Sequence, residues 1–379
     1  MNGVKILHTA DCHLGSSRVA LGGMHMNGRQ ELCAAFFRII RICRDENIDF
    51  LLIAGDIFEM PFVSESLAKD IIGSFSQIPD TKVIIATGNH DAALSGSVYS
   101  RRDFPKNVTL FTGDAELCDF PEKNVCIYGA GFSAKSEKRS LIDDFPAPKN
   151  DRINIGVLHA DLTASSQDSS YNPITTAQIA ASGLDYLALG HIHKRTPIEK
   201  AGSVYYSYCG CPDGRGFDED GSCGVYIGTV GKGFQNLEFR KLSSRVYLSF
   251  SADITGAVSS SDAADKIEAV LRKNYGEPSE HKLFKITLIG SISTDVFLNP
   301  ERIRMILEER SIFCTVADKT AAALDSIEKI AAEHGLRGAF ADKMLKKIQN
   351  APEDEKEFLQ TALQLGLKAF DCEVGLYDN

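Results

Sequence analysis

The chain has 379 residues, of which 44% are hydrophobic and 24% are charged. This composition is typical of a globular protein and excludes a disordered, collagen-like or coiled-coil chain, and the length predicts two domains. The formal net charge of −10 excludes a generic basic coat for nucleic acid, although an enzyme could still contact nucleic acid through a local patch.

The first ninety residues predict a β-α-β-α-β unit with a polar cluster after each strand. Strands are predicted at residues 4–9, 50–54 and 82–87, and helices at 29–46 and 64–77, with Ser64 as a helix N-cap. The run at 50–54 is continuously apolar, as expected of a strand that is buried on both faces. In open α/β sheets ligands bind at the carboxyl ends of the strands, where these polar clusters fall.

The middle of the chain is richer in strands and predicts a second sheet packed on the first. Its predicted strands are residues 108–111, 125–129, 153–159, 186–190, 204–208, 225–230 and 237–242, with one helix at 175–182. A small α+β unit follows, with strands at 247–254, 284–289 and 313–316, helices at 263–274 and 300–309, a surface loop at 256–262, and three helices from 320 onward. We therefore expect an α/β catalytic domain at 1–245 and an α+β accessory domain at 246–379.

The cellular address and the cysteines are interpreted from the same sequence. No apolar run reaches the roughly 18 residues of a membrane span, and the first residues lack the apolar core of a signal peptide, so we expect a cytoplasmic protein. The ten cysteines include no C-x-x-C pair and are expected to be mainly small buried residues. A metal held by Cys209, Cys211 and Cys223 is a minor alternative, because their spacing matches no usual zinc pattern.

Histidine, aspartate and asparagine recur at the ends of predicted strands. The elements are Asp11-x-His13, Gly55-Asp56, Gly88-Asn89-His90-Asp91, His159 and Gly190-His191-x-His193. Each is weak alone, since a lone His13 or His159 is more often structural and Asn89 could simply cap a helix. The ordered set, with each member at a strand end, predicts a metal site.

The residue types in this set suit two divalent cations. Ions about 3.5–4 Å apart need a shared ligand, and Asp56 is the natural bridge because a carboxylate can serve both. Imidazole together with carboxylate favours Mn, Fe, Zn or Ni over Mg or Ca. His90 is then available to protonate a leaving oxygen, and Asp91 could fix its tautomer and orientation.

These elements resemble the calcineurin-like metallophosphoesterase superfamily, and within it the SbcD-type DNA repair nucleases, especially their YhaO-like branch. The finer likeness depends on residues 8–15, on residues 171–173 with 183–194, and on residues 210–215. The resemblance implies a two-sheet α/β/β/α sandwich, manganese as the active metal, DNA as substrate, a large SbcC-like or YhaN-like ATPase partner with coiled-coil arms, and a homodimer.

Carried over by position, the resemblance also implies a role for each residue of the set. It implies one metal ion held by Asp11, His13, Asp56 and His193, and a second held by Asp56, Asn89, His159 and His191. His90 corresponds to the catalytic histidine that acts on the leaving group. The position three residues after Asp56 often carries histidine or aspartate in these nucleases, whereas here it is Glu59.

Substrate contacts are expected from Glu59, Arg215 and the pair Lys194 and Arg195, which directly follow a metal-ligand loop. The leading hypothesis is a manganese-dependent phosphodiesterase that acts on DNA as an exonuclease, with endonuclease activity left open. One alternative is a phosphoesterase for a nucleotide or cyclic dinucleotide, which would need little beyond the catalytic core. Another is a weakly active DNA-binding subunit of an ATPase–nuclease complex, which Glu59 and the acidic charge would favour. The terminal helix near 355–369 is expected to pack within its domain or to dock a partner.

Overall fold

The computed structural model of the protein describes residues 3–17, 28–165, 169–293 and 296–371. The chain divides into two compact units, Met1–Tyr247 and Leu248–Asn379. In the described residues the strands are β1 (Gly3–Thr9), β2 (Phe50–Ala54), β3 (Lys82–Ala86), β4 (Val108–Phe111), β5 (Glu116–Phe120), β6 (Val125–Ala130), β7 (Ile153–His159), β8 (Asp161–Leu162), β9 (Pro173–Ile174), β10 (Tyr186–Gly190), β11 (Glu199–Ala201), β12 (Val204–Tyr208), β13 (Gly224–Gly231), β14 (Phe234–Lys241), β15 (Val246–Asp253), β16 (Lys282–Ile289), β17 (Ser291–Ile292), β18 (Phe313–Asp318) and β19 (Ala321–Ala322). The α-helices of the same residues are α1 (Gly28–Asp45), α2 (Glu65–Ser74), α3 (Val98–Arg101), α4 (Thr176–Ala181), α5 (Ser260–Tyr275), α6 (Pro300–Glu309), α7 (Leu324–Ala331), α8 (Leu336–Asn350) and α9 (Glu353–Asp371).

Two six-stranded sheets form the first unit. Their strand orders are β14-β13-β1-β2-β3-β4 and β11-β12-β10-β7-β6-β5. Leu52 and Ile84 of the first sheet share a buried core with Ile155 and Ala188 of the second, so the sheets pack face to face. Helices α1 and α2 cover the outer face of the first sheet, and α4 lies on the outer face of the second. The predicted α/β/β/α architecture is confirmed.

Three strands of the middle region join the first sheet, where the sequence predicted a second-sheet position. Strand β4 extends the parallel run beyond β3, while β13 pairs antiparallel with β1 and β14 with β13. The hairpin covers the edge of β1, whose backbone donors and acceptors would otherwise be exposed. Strands β5 and β11 were not predicted, because both are edge strands with exposed polar positions and lack a continuous apolar pattern.

The second unit has its own cores. Strands β15, β16 and β18 form a sheet that packs on α5 and α6 through buried residues such as Phe284, Ile267 and Ile303. Helices α7, α8 and α9 enclose a smaller core. Helix α5 begins at Ser260, because the Ser259 hydroxyl accepts a hydrogen bond from the Asp262 backbone at 3.1 Å, so the loop predicted to reach residue 262 is shorter. No helix in the described part of the chain is long and apolar enough to cross a membrane.

Candidate metal centre

Five of the predicted ligands lie at the carboxyl ends of four strands, two in each sheet. Asp11 and His13 follow β1 and Asp56 follows β2, while His159 ends β7 and His191 follows β10. Four non-glycine residues of this set have positive φ angles, 51° at Asp11, 43° at His13, 52° at Asp56 and 105° at His191. Such backbone conformations are strained, and they persist where the surrounding structure fixes them, which is common at functional sites.

One cluster is formed by Asp11, His13 and His193, whose candidate ligand atoms all lie within 4.8 Å of one another. The Nε2 atoms of His13 and His193 face each other at 3.1 Å. Both Asp11 and His13 are buried, with 1% and 0% of their surface exposed. The cluster therefore offers two imidazole nitrogens and a carboxylate, the donor set that first-row transition-metal ions prefer.

Two carboxylates determine which ring nitrogens carry hydrogen. His13 Nδ1 lies 2.7 Å from Glu59 Oε2, and His193 Nδ1 lies 2.8 Å from Glu219 Oε1. An ionised carboxylate only accepts hydrogen bonds, so His13 Nδ1 donates to Glu59. His193 Nδ1 lies between Glu219 and the donor Arg215 Nη2, which is 3.1 Å away, and it donates to Glu219 if its hydrogen is on Nδ1. The two Nε2 lone pairs then face each other, an arrangement that repels unless a proton or a cation lies between them. These residues fit a divalent cation.

The second cluster surrounds His159. Its Nδ1 donates to the Ala54 carbonyl at 3.0 Å, which leaves Nε2 unprotonated and directed at Asn89 Oδ1, 2.9 Å away. With this tautomer and amide orientation, two acceptors face each other, and a cation between them would stabilise the contact. The ring of His191 lies beside His159, with centroids 5.2 Å apart. The structure therefore places Asn89 and His191 beside His159.

Asp56 lies between the two clusters. Its Oδ1 accepts a hydrogen bond from the His90 backbone at 2.9 Å. Its Oδ2 lies 3.3 Å from His159 Nε2 and 3.8 Å from His13 Nε2. A single oxygen therefore faces both sets of histidines. This position suits a shared ligand.

Two glycines give the clusters their space. A Cβ at Gly55 would lie 2.3 Å from His159 Nδ1, and a Cβ at Gly88 would lie 2.1 Å from Asp56 Oδ1. Neither distance is compatible with the ring or the carboxylate in its present place. The glycines beside the ligands are thus required by close packing, and at Gly55 also by a φ of +91°.

Burial disfavours charge on every member of the centre. It raises the pKa of Asp11 to about 7 and also raises the pKa of Asp56. It lowers the pKa of both His13 and His159 to about 4. His193 differs: burial would lower its pKa, but the hydrogen bond with Glu219 and the charge of Asp11 raise it. A divalent cation would supply the positive charge that the neutral His13 and His159 do not give to the buried carboxylates.

His90 lies at the exposed side of the centre, with 42% of its side chain accessible. Its Nδ1 is 2.9 Å from Glu59 Oε1. This hydrogen bond, more than the opposing effect of burial, raises the pKa of His90. Burial would raise the pKa of Glu59, but hydrogen bonds from His13 and His90 hold it well below its usual range. Glu59 therefore orients both a metal-ligand candidate and the candidate acid.

Asp91 does not orient His90, which corrects the expectation from the sequence. Its buried carboxylate accepts hydrogen bonds from the backbones of Ile57, Phe58 and Gly88 and from the Tyr99 hydroxyl, at 2.7 to 3.2 Å. These bonds tie the loop after β2 to the loop after β3. Asp91 thus holds together the segments that carry Asp56 and Asn89, while Glu59 binds the ring that Asp91 was expected to hold.

The three basic residues that were expected to contact substrate differ in position. The Arg215 guanidinium lies at the centre, with Nη2 3.1 Å from His193 Nδ1 and Nη1 3.4 Å from Glu59. Lys194 is exposed and pairs with Asp220 at 3.2 Å. Arg195 is turned away, because its guanidinium lies 4.3 Å over the Phe239 ring of β14.

Glu219 was not identified from the sequence. It is 5% exposed and contacts both His193 and Arg215. Nothing in the sequence marked it, since it is 26 positions from His193 and belongs to no recognised motif. The cysteine alternative receives no support in the described residues: Cys211 and Cys223 Sγ lie 3.5 Å apart, but the metal-compatible groups contain only histidine and aspartate.

Comparison with known proteins agrees with this geometry. The family described as calcineurin-like phosphoesterase matches residues 4–195, just over half of the chain. The chain belongs to that family. Its members bind divalent metals, and the described residues of this phosphoesterase contain groups of histidine and aspartate that could hold such ions.

Two relatives come from Bacillus subtilis strain 168. The phosphoesterase is 28% identical over 261 residues to a protein described as uncharacterized metallophosphoesterase YhaO, covering 66% of this chain and 63% of the relative. It is 25% identical over 258 residues to a subunit of the nuclease SbcCD, covering 58% and 64% respectively. The matched region is therefore less than two thirds of either relative. The solved structure of a dimetal phosphatase from Danio rerio covers 62% of this chain and 98% of the phosphatase chain, at 10% sequence identity. Its TM-score of 0.38 is too low to carry an argument.

Proposed function

We propose that this phosphoesterase is a phosphodiesterase with two divalent metal ions that cleaves DNA, as an exonuclease in DNA repair. The observation that carries the proposal is the position of Asp56 Oδ2, which faces His159 at 3.3 Å and His13 at 3.8 Å. A shared oxygen between two histidine clusters suits a pair of ions that act on one phosphate. Manganese is the proposed metal, because the donor set mixes imidazole, carboxylate and amide oxygen.

In this proposal, Asp11, His13, Asp56 and His193 hold one ion, and Asp56, Asn89, His159 and His191 hold the other. The ions supply Lewis-acid activation of the phosphoryl group and of the attacking water. The protein supplies orientation: Nδ1 of His13, His193 and His159 lies beside Glu59, Glu219 and the Ala54 carbonyl, which can accept its hydrogen when Nε2 binds the metal.

His90 moves the proton. Its Nδ1 donates to Glu59, so Nε2 is the atom that can protonate the leaving oxygen of the scissile phosphodiester. The ring is partly exposed, as a group that meets a large substrate must be. Arg215, between Glu59 and Glu219, adds a fixed positive charge beside the position of the phosphate, while Lys194 at the surface is a further candidate contact.

DNA is favoured as substrate by two observations. The similarity to a component of a nuclease extends over 258 residues. The phosphoesterase also has a second compact unit, Leu248–Asn379, beyond the region that the family match covers. A small-molecule phosphatase needs little beyond the catalytic core, whereas a DNA enzyme needs a surface that contacts the duplex. We therefore propose that this second unit is an accessory domain for DNA or partner binding.

The proposed setting is a cytoplasmic repair assembly with a coiled-coil ATPase, and a homodimer of the phosphoesterase. Helix α9 offers a candidate contact. Its Leu359, Leu363 and Leu367 are buried, while Phe358 and Leu365 are 75% and 60% exposed. Removal of residues 353–371 should abolish co-purification with the ATPase, and undiminished co-purification would exclude α9 as the docking element.

The cleavage proposal is tested with labelled linear double-stranded and single-stranded DNA, with Mn²⁺ or with chelator. His90→Ala is compared with His281→Ala, the same chemical change at a side chain that is 66% exposed in the second unit. We expect degradation that needs Mn²⁺, is lost in His90→Ala and is retained in His281→Ala. Intact DNA together with Mn²⁺-dependent cleavage of a chromogenic diester, with or without the ATPase, would contradict DNA as the substrate.

A further inference from the structure

The segment between β12 and β13 is anchored to the backbone of a metal-ligand candidate. The Cys211 amide donates to the His193 carbonyl at 3.1 Å, and the Gly224 amide returns to the Cys211 carbonyl at 3.2 Å. A Cβ at Gly210 would lie 2.6 Å from the His193 carbonyl oxygen, so the approach requires glycine there. The segment that follows is thus held against His193 from its first residue.

Glu219, within this segment, makes four polar contacts. Its Oε1 accepts from Arg215 Nη2 at 2.6 Å and Nε at 2.9 Å, and lies 2.8 Å from His193 Nδ1. Its Oε2 accepts from the Arg215 backbone amide at 2.6 Å. Both oxygens of the Glu219 carboxylate are therefore occupied by these contacts, and the Arg215 guanidinium balances its charge.

The position of Glu219 mirrors that of Glu59. Glu59 lies 2.7 Å from Nδ1 of His13, and Glu219 lies 2.8 Å from Nδ1 of His193. Arg215 Nη2 also lies 3.1 Å from His193 Nδ1, but a guanidinium only donates, so Glu219 is the contact that can accept a hydrogen from this nitrogen. The two Nε2 atoms meet at 3.1 Å on the side away from the carboxylates. Without an acceptor at Nδ1, the His193 ring could carry its hydrogen on Nε2 or rotate, and either change removes a ligand nitrogen.

We propose that Glu219 is a positioning residue that fixes His193 in its metal-binding tautomer, with Arg215 as the counter-charge that allows a buried carboxylate at this place. The proposal depends on the metal centre of the proposed function and not on DNA as its substrate. Carboxylate partners of metal-bound histidines typically contribute 10–100-fold to metal affinity. Only the ion held by His193 should feel the loss, because the other cluster has its own Nδ1 acceptor at Ala54.

The test compares Glu219→Gln with Asp220→Asn, the same charge change one residue further along, where the partner is the exposed Lys194. Binding of Mn²⁺ alone is measured by equilibrium dialysis, with thermal unfolding as the control for folding. We expect Glu219→Gln to weaken one of two Mn²⁺ sites by about 10–100-fold and Asp220→Asn to bind like the parent. Equal affinities in all three proteins would overturn the proposal.

A second measurement needs no variant. Long-range ¹H–¹⁵N NMR of the zinc-loaded parent protein reports which nitrogen of His193 carries hydrogen. The proposal requires hydrogen on Nδ1, and metal or no hydrogen on Nδ1 would overturn it. If Glu219→Gln binds Mn²⁺ more weakly and the parent protein leaves DNA intact, the positioning role is supported and only the DNA substrate is contradicted. If Glu219→Gln binds Mn²⁺ as the parent does and the parent cleaves DNA, only the positioning role is contradicted.

Discussion

Gly55 offers a sharp test of how the metal centre is packed. It follows β2 with a φ of +91°, and an added Cβ would lie 2.3 Å from Nδ1, 2.6 Å from Cγ and 2.7 Å from Cβ of His159. The ring cannot stay in place, because its Nδ1 also bonds the Ala54 carbonyl at 3.0 Å. Gly55→Ala should therefore displace His159 and weaken the metal cluster that it forms.

The magnitude has two parts. An alanine in left-handed backbone costs about 1–2 kcal/mol. Overpacking of a buried site adds about 1–3 kcal/mol. Gly96 isolates the first part, since its φ is +79° but nothing lies within 4 Å of an added Cβ. We expect Gly55→Ala to lower the free energy of unfolding by about 2–5 kcal/mol and Gly96→Ala by about 1–2 kcal/mol.

Urea unfolding followed by tyrosine fluorescence measures the difference, since the chain has 11 tyrosines and no tryptophan. Equilibrium dialysis with Mn²⁺ then reports the metal centre. Gly55→Ala should lose affinity for at least one ion, while Gly96→Ala should bind like the parent. If the two variants were equally stable and bound Mn²⁺ equally well, the close packing of Gly55 on His159 would not be needed for the centre.

Three further predictions concern the same site. His90→Ala should reduce turnover of a chromogenic phosphodiester by about 10²–10⁴-fold with unchanged Mn²⁺ content, because the proposed role of the ring is to move a proton and not to bind metal; retained turnover or lost Mn²⁺ would contradict that role. Asp56→Ala should lose both ions by dialysis, and a variant with two bound equivalents would refute the bridging position. Tyr99→Phe removes one of four hydrogen bonds to the buried Asp91 carboxylate and should lower the free energy of unfolding by about 1–3 kcal/mol in urea, whereas unchanged stability would show that the bond contributes little.

The architecture was predictable because strands buried on both faces are continuous apolar runs. Phe50–Ala54 and Ile153–His159 are buried at every position, and both were located in the sequence with these bounds. Which sheet each strand joins was harder to predict from the sequence. The antiparallel pairing of β13 with β1 joins residues more than 200 positions apart, and local periodicity does not encode such pairing.

The same distinction applies to the site. Residues at strand ends, such as Asp11 and His159, were found because sequence order and strand position together predict where they lie. Contacts made by residues between the main strands and helices were not found from the sequence. Glu219 reaches His193 from a three-residue 3-10 turn, Phe217–Glu219, and the hydrogen bond from Tyr99 to Asp91 depends on how the short helix α3 folds back on the loop after β3. Only the three-dimensional structure shows which carboxylate orients which ring.

The two-ion centre shared by Asp56 is the claim on which the activity depends. Anomalous X-ray diffraction from crystals soaked in Mn²⁺ tests it most directly, because it locates each ion without reference to any substrate. We expect two peaks that both lie within ligand distance of Asp56, one beside His13 and His193 and the other beside His159 and His191. A single peak, or two peaks of which one does not contact Asp56, would contradict the account.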